Sequence, residues 1–204
     1  MLTFALVHEN DCRDASWSRS TRYGFGCGLR QRERGTVQAV GGQAPKEGGR
    51  DLFVVVSSDR GLCGGIHSSV SKKTRAAVAK LTKAGGEEPS VVVLGDKAKA
   101  QLSRALPKNL VLSFNQIGKG VPTYEDALAI TSTILKADIP FDKINIVYNK
   151  YVSSLSFESV ISTVYSEKSL LEAPKFGAYE MDESLSKDLA EFSLTNSIFY
   201  TLVE

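Results

Sequence analysis

Seven consecutive residues, Asp59-Arg60-Gly61-Leu62-Cys63-Gly64-Gly65, bring together a carboxylate, a guanidinium, a thiol and three glycines, with His67 two positions on. Two chemistries can be written on them. Cys63 and His67 are spaced i, i+4, at which two side chains meet on one helix face. A thiol near a helix N-terminus, beside an imidazole, is the core of a sulfur nucleophile. That thiol-hydrolase reading requires Cys63 itself to be helical. The plainer alternative makes Cys63 a small apolar residue in a tight loop and His67 a surface residue. The second chemistry is phosphate binding, since backbone N–H groups at a glycine-rich strand-to-helix turn cradle anions. The Walker pattern is nevertheless absent, because Gly65 is followed by Ile66 and the first lysine is Lys72. The spacing of Gly61, Gly64 and Gly65 also fails GxGxxG. A nucleotide-binding module on this turn therefore has the right context without the right residues. Glu87-Glu88 and Glu125-Asp126 fall in a turn and at a helix start, where carboxylates are solvated or capping.

The elements around these residues are legible from hydropathy. Leu52–Val56 is a short, continuous apolar run rich in β-branched residues, the pattern of a strand buried on both faces. From Ile66 the period changes: Ile66, Val70, Ala77, Val78 and Leu81 form the apolar stripe of an amphipathic helix, with Lys72, Lys73, Arg75 and Lys80 between them. Ser90–Leu94 reads as a second strand. Asp96 is placed to N-cap a helix that runs to Leu106, and Leu110, Leu112 and Phe114 alternate as a third strand. Thr123 and Asp126 form a capping box for a helix whose face is marked by Tyr124, Leu128, Thr131 and Leu135. Lys143–Tyr148 is a fourth strand, and Val152–Tyr165 is extended and antiparallel to it. Alternating strands and helices over 52–148 predict an α/β fold: an open, largely parallel sheet with flanking helices.

Residues 1–50 differ. They hold 8 of the 17 glycines and no sustained period, and they read as a low-order, disordered leader. The acid-free piece Ser16–Arg32 has the Arg/Ser character of a transit peptide, but Gly24, Gly26 and Gly28 interrupt any helix there. Residues 51–183 make the α/β domain, and 184–204 begin a last helix. Leu185, Leu189, Phe192 and Phe199 are expected to set its apolar face. Towards Glu204 it is apolar on nearly every side and has no C-cap glycine, so the chain is expected to end inside an element.

Composition narrows the function classes. The net charge is +2, and the basic excess lies in residues 1–50, so a basic footprint for nucleic acid is lacking. No apolar run approaches the roughly 20 residues of a membrane-spanning helix. Three cysteines without metal or redox spacing, and two histidines far apart, fit a reducing compartment with no metal or cofactor.

The run Ser57–His67 (SSDRGLCGGIH) resembles the signature of the γ subunit of F-type ATP synthases in its mitochondrial, fungal form. Leu94-Gly95-Asp96-Lys97, Ile117-Gly118-Lys119, Tyr148-Asn149 with Ser153–Glu158, and Glu191–Asn196 agree with it in order and spacing. The resemblance covers roughly Asp51–Glu204. It implies the globular α/β domain of a central-stalk rotor subunit that transmits rotation and has no catalytic residue of its own. The implied partners are the α and β subunits of the catalytic head, the small central-stalk subunits and the c-ring. The implied location is the matrix side of the mitochondrial inner membrane, held there only through the complex. By the same resemblance Asp59, Arg60, Gly61, Leu62, Cys63, Gly64 and Gly65 face the catalytic β subunits, and Phe192, Phe199, Leu202 and Val203 pack the stalk helices. Most of both coiled-coil helices is expected to be missing. Phe199, Tyr200, Leu202 and Val203 are then expected to form an exposed apolar patch.

Overall fold

Asp51–Val56 (β1) is buried along its whole length because both its faces are covered. Leu52, Val54 and Val56 point into one apolar layer, while Phe53 and Val55 point into the other. The computed structural model describes residues 49–59, 65–116, 120–153, 156–171 and 183–204. Beyond β1 the elements are α1 (Ile66–Lys83), β2 (Ser90–Leu94), α2 (Asp96–Ala105), β3 (Leu110–Phe114), α3 (Tyr124–Lys136), β4 (Lys143–Ser153), β5 (Ser156–Tyr165), α4 (Glu167–Leu171) and α5 (Glu183–Val203). The strands lie in the order β3-β2-β1-β4-β5. β1 pairs in parallel with β2 and β4, β2 with β3, and only β5 is antiparallel, against β4. This is the expected open, largely parallel α/β sheet. The leader reading falls on residues outside the described ones, apart from 49 and 50.

Two layers of helix clothe the sheet. Val70 and Val78 of α1 and Ala98 and Leu102 of α2 pack on Phe53, Val55, Val91, Val93 and Val147. On the opposite face Ala127, Ile130 and Ile134 of α3 and Leu194, Ile198 and Leu202 of α5 pack on Leu52, Val54, Val92, Ile144, Ile146 and Tyr148.

Several local expectations change. The Thr123/Asp126 capping box is present, with the Asp126 N–H 3.3 Å from Thr123 Oγ1 and the Thr123 N–H 3.0 Å from Asp126 Oδ2. The helix it opens, however, buries Ala127, Ile130, Thr131 and Ile134, whereas Tyr124, Leu128 and Leu135 stay exposed. Both arcs of α3 are apolar, and the sheet takes the one with the smaller side chains. Val152 belongs to β4 rather than to the returning strand. Asp96 is the first residue of α2, not its cap; Gly95 is the N-cap and offers no side-chain bond.

α5 carries the largest correction. Leu185 (52% exposed), Leu189 (39%) and Phe192 (55%) face outward, and the helix docks through Ser186, Leu194, Thr195, Ile198, Thr201 and Leu202. Leu202, at 2% exposure, is core. The expected bare patch at the helix end is therefore largely covered. Phe199 is half-buried against Tyr124, with ring centroids 5.8 Å apart at 71°. Tyr200 meets Tyr148 edge-on at 6.4 Å.

Candidate functional site

The connection from β1 to α1 leaves the sheet where its topology reverses. From β1 the chain winds outward through β2 to β3, then crosses to β4 on β1's other side. In open α/β sheets the crevice beyond the strand ends at such a point is the usual ligand position. Here that region is occupied by polar side chains that close on one another. His67 is buried rather than superficial, and its Nδ1 lies 3.0 Å from Ser57 Oγ at the end of β1. Asn149 of β4 donates its Nδ2–H to the Ile66 carbonyl at 2.9 Å, in the first turn of α1. Its Oδ1 accepts from Ser69 at 3.2 Å and from Ser159 of β5 at 2.7 Å. One amide thus fastens the start of α1 to two strands.

The loop itself is described only at its ends. Arg60, Gly61, Leu62, Cys63 and Gly64 lie outside the described residues, and with them the thiol of the Cys63/His67 reading. At the outgoing end Asp59 Oδ1 accepts the Asp96 N–H at 2.8 Å. Asp59 is therefore the side chain that caps α2, from 37 positions away. The Lys97 N–H points at the Ser58 carbonyl at 3.4 Å, and the Ser57 N–H donates to the Leu94 carbonyl at 2.9 Å. At the returning end Gly65 N-caps α1 with φ −85°, a value open to any residue, so its freedom is not used for left-handed backbone.

Gly95 is where glycine is required. Its φ is +101°, and a Cβ there would stand 2.8 Å from the Ser57 carbonyl carbon and oxygen. The chain between β1 and the loop passes directly over this glycine. The two segments Ser57–Asp59 and Leu94–Lys97, far apart in sequence, thus form one contact. Both segments stand out in the sequence, as SSDRG and LGDK. What was missing was any indication that Asp59 serves Asp96, or that Asn149 serves α1.

Among the described residues no group of three or more His, Cys, Asp or Glu is placed to hold a metal ion, and no helix is long and apolar enough to cross a membrane. Among the described residues at the strand ends, His67 meets Ser57, Asn149 meets Ser69 and Ser159, and Asp59 Oδ1 accepts the Asp96 N–H.

The outer face of α5 is the other candidate surface. Leu185, Leu189, Phe192, Asn196, Phe199 and Val203 are spaced 4-3-4-3-4, the interval of a coiled-coil seam. The first three are exposed and the last three half-buried. This is why the helix is apolar nearly all round: the domain takes one arc, and a second apolar arc lies opposite.

Comparison with known proteins places this geometry. The family model described as "ATP synthase" matches residues 28–204. The mitochondrial ATP synthase subunit gamma of Yarrowia lipolytica is 44% identical over 153 residues, 75% of this chain and 52% of that protein. The Schizosaccharomyces pombe counterpart is 41% identical over 165 residues, 81% of this chain and 54% of that protein. The chain thus spans about half the length of the curated relatives it matches. A central stalk and c-ring structure of the Tetrahymena thermophila mitochondrial ATP synthase has the same fold, with TM-score 0.72 and 18% identity over 96% of this chain and 89% of that one.

Proposed function

Since the chain belongs to the ATP synthase gamma-subunit family, we propose that it is the globular part of a central-stalk rotor subunit, coupling proton flow to ATP synthesis by transmitting rotation. In this reading it carries out no catalysis itself. It works at the matrix side of the mitochondrial inner membrane, attached through its complex. Its partners are the α and β subunits of the catalytic head, the small central-stalk subunits and the c-ring. The loop Asp59–Gly65 meets the catalytic β subunits; on its two sides Asp59 is bonded to the Asp96 N–H and Ile66 to the Asn149 amide.

The observation that supports this best is the double-faced helix α5. Leu194, Ile198 and Leu202 bind it to the sheet, while Leu185, Leu189 and Phe192 stand exposed on the far side. Such a helix is shared between a domain and a second helix, as a stalk requires. Phe192, Phe199 and Val203 are proposed to pack on that second helix. Leu202, expected with them, belongs to the domain side.

The test is affinity capture of the tagged chain from mitochondrial extract, with mass spectrometry of what accompanies it. Recovery of the catalytic-head subunits together with small stalk subunits is expected. Capture of chaperones alone, by a chain that is folded by circular dichroism, would overturn the reading.

A further inference from the structure

The near-neutral balance of residues 51–204, with 17 Lys and Arg against 18 Asp and Glu, hides a division by face. α1 and α2, which cover the Phe53/Val55 side of the sheet, carry eight Lys and Arg and one Asp. α3 and α5, on the Leu52/Val54 side, carry two against five acids. In α1 the segregation is complete. Its 18 residues hold no acid, and Lys72, Lys73, Arg75, Lys80 and Lys83 all stand exposed. They share the arc opposite the buried Val70, Thr74 and Val78, so they point away from the sheet as one strip, with exposed Ala76 and Ala79 between them. Among the described residues none of the five is in an ion pair. From Lys72 to Lys83 the strip runs about 17 Å at 1.5 Å per residue.

A second feature adjoins the start of that helix. Tyr151 and Phe157 are paired across β4 and β5 and are 42% and 39% exposed. Strand alternation places them on the same face as the Asn149/Ser159 pair, two residues farther out. Asn149 is bonded to Ile66 and Ser69 in the first turns of α1. The aromatic pair therefore stands just past the start of α1, and Lys73 stands one turn beyond Ser69 in the other direction. Two strand residues and one helical turn separate rings from strip, together roughly 13 Å.

We infer that the α1 strip and the Tyr151/Phe157 pair form one docking surface for an acidic amphipathic helix of a partner protein, whose carboxylates lie along α1 and whose apolar end covers the two rings. The inference stands on these residues and does not depend on the rotor reading. Charge complementarity fixes the sign of the occupant, and width fixes its form. Asp96 opens α2 and Glu87-Glu88 follow the end of α1, so the cations run uninterrupted only along a single helix. A bilayer would cover those acids as well as the bases. Six of the eight basic residues are Lys, a point charge suited to carboxylates, whereas phosphate groups favour the Arg fork. No large apolar side chain of α1 or α2 is exposed to enter lipid. The rings supply the desolvated centre of the contact. The strip, exposed and screened by salt, speeds the approach.

The experiment uses the whole chain and two Ala-rich synthetic peptides of about 20 residues, long enough to be helical in water. Both carry Glu along one face. The first has a pair of leucines on that face at each end, so that either direction is served; the second has serine in their place. Binding is read by fluorescence anisotropy at low and at high salt. The chains compared are the wild type, Lys72→Gln/Lys73→Gln/Lys80→Gln/Lys83→Gln, Tyr151→Ser/Phe157→Ser, and the control Lys136→Gln/Lys150→Gln/Lys168→Gln/Lys187→Gln, each first shown to melt like the wild type. The wild type is expected to prefer the leucine peptide by about tenfold, and Tyr151→Ser/Phe157→Ser should erase that preference. The α1 quadruple should bind both peptides about tenfold more weakly at low salt, a factor of about two for each exposed ion pair, and should lose most of the salt dependence. The control, with the same change in net charge, should shift by less than about threefold. Equal losses in the control and the α1 quadruple would reduce the effect to net charge and overturn the inference, as would a leucine preference that survives the ring substitutions. Tighter association of the wild type with anionic-lipid vesicles or duplex DNA than with the leucine peptide, at physiological ionic strength, would overturn it in favour of a phosphate surface.

Discussion

Asp59 stands at the mouth of the loop that holds most of the reactive side chains, yet its Oδ1 is bonded to the Asp96 N–H at 2.8 Å. A cap supplied from outside the helix satisfies one of the N–H groups that a helix start leaves open. Asp59→Ala should therefore cost about 1 kcal/mol, in the usual range for losing a cap, seen as a lower urea midpoint at unchanged slope. Asp59→Asn should recover most of it, because its amide oxygen still accepts. Gly95→Ala is the harsher change. It forces a side chain onto left-handed backbone and brings a Cβ within 2.8 Å of the Ser57 carbonyl. Strain and overpacking each cost about 1–3 kcal/mol, so a loss of about 3 kcal/mol and a plainly lower melting temperature are expected. Neither substitution removes a group from the loop tip. If both abolish partner capture while the protein remains folded, the loop acts through its mounting.

At the scale of elements, α5 separates stability from contact. Ile198→Ala opens a hole beneath a fully buried side chain and should cost about 2–5 kcal/mol, as large-to-small core changes do. Phe192→Ser, on the exposed arc of the same helix, should move stability by about 0.5 kcal/mol or less and weaken partner binding instead. Denaturation curves and capture yields on the two variants give opposite orderings if the two arcs have these roles. β1 and β2 were legible from sequence almost to the residue, because they are β-branched apolar runs with turn residues at their ends; β4 runs on from the expected Tyr148 to Ser153, where half-buried and exposed residues carry no continuous apolar signal. The Thr123/Asp126 box was legible because both of its bonds are local. Helix orientation was not. α3 and α5 each carry two apolar arcs, and spacing alone favours the arc with the larger side chains, Tyr124, Leu128 and Leu135 or Leu185, Leu189 and Phe192. The sheet selected the other arc in both cases. The polar fastenings Asp59–Asp96 and Asn149–Ile66 also escaped, since each joins residues dozens of positions apart and no local pattern announces such a bond.

At the scale of the described residues, the sheet is covered on both faces at its centre, along β1 and β2, and an apolar row of α5 is left outside it. Exposed contiguous apolar surface marks an interaction site in a soluble domain. Replacing Leu185, Leu189 and Phe192 together by Gln should lower binding of a hydrophobic dye to the native chain and raise its solubility, with the denaturation midpoint nearly unchanged. A midpoint that falls by several kcal/mol equivalents would show the row to be part of the domain instead. The strand order has a different consequence, in the time domain. β1 is the first strand in the chain and the middle strand of the sheet; β2 reaches it within one helix, but β4 is the last of its neighbours to appear. A chain emerging N-terminus first at roughly 5–20 residues per second must wait for about 90 more residues before that second edge is paired. For several seconds, then, Phe53-Val54-Val55-Val56 presents an open strand edge of the kind that recruits other chains. The strand best protected in the finished molecule is the one left half-covered longest while the molecule is being made.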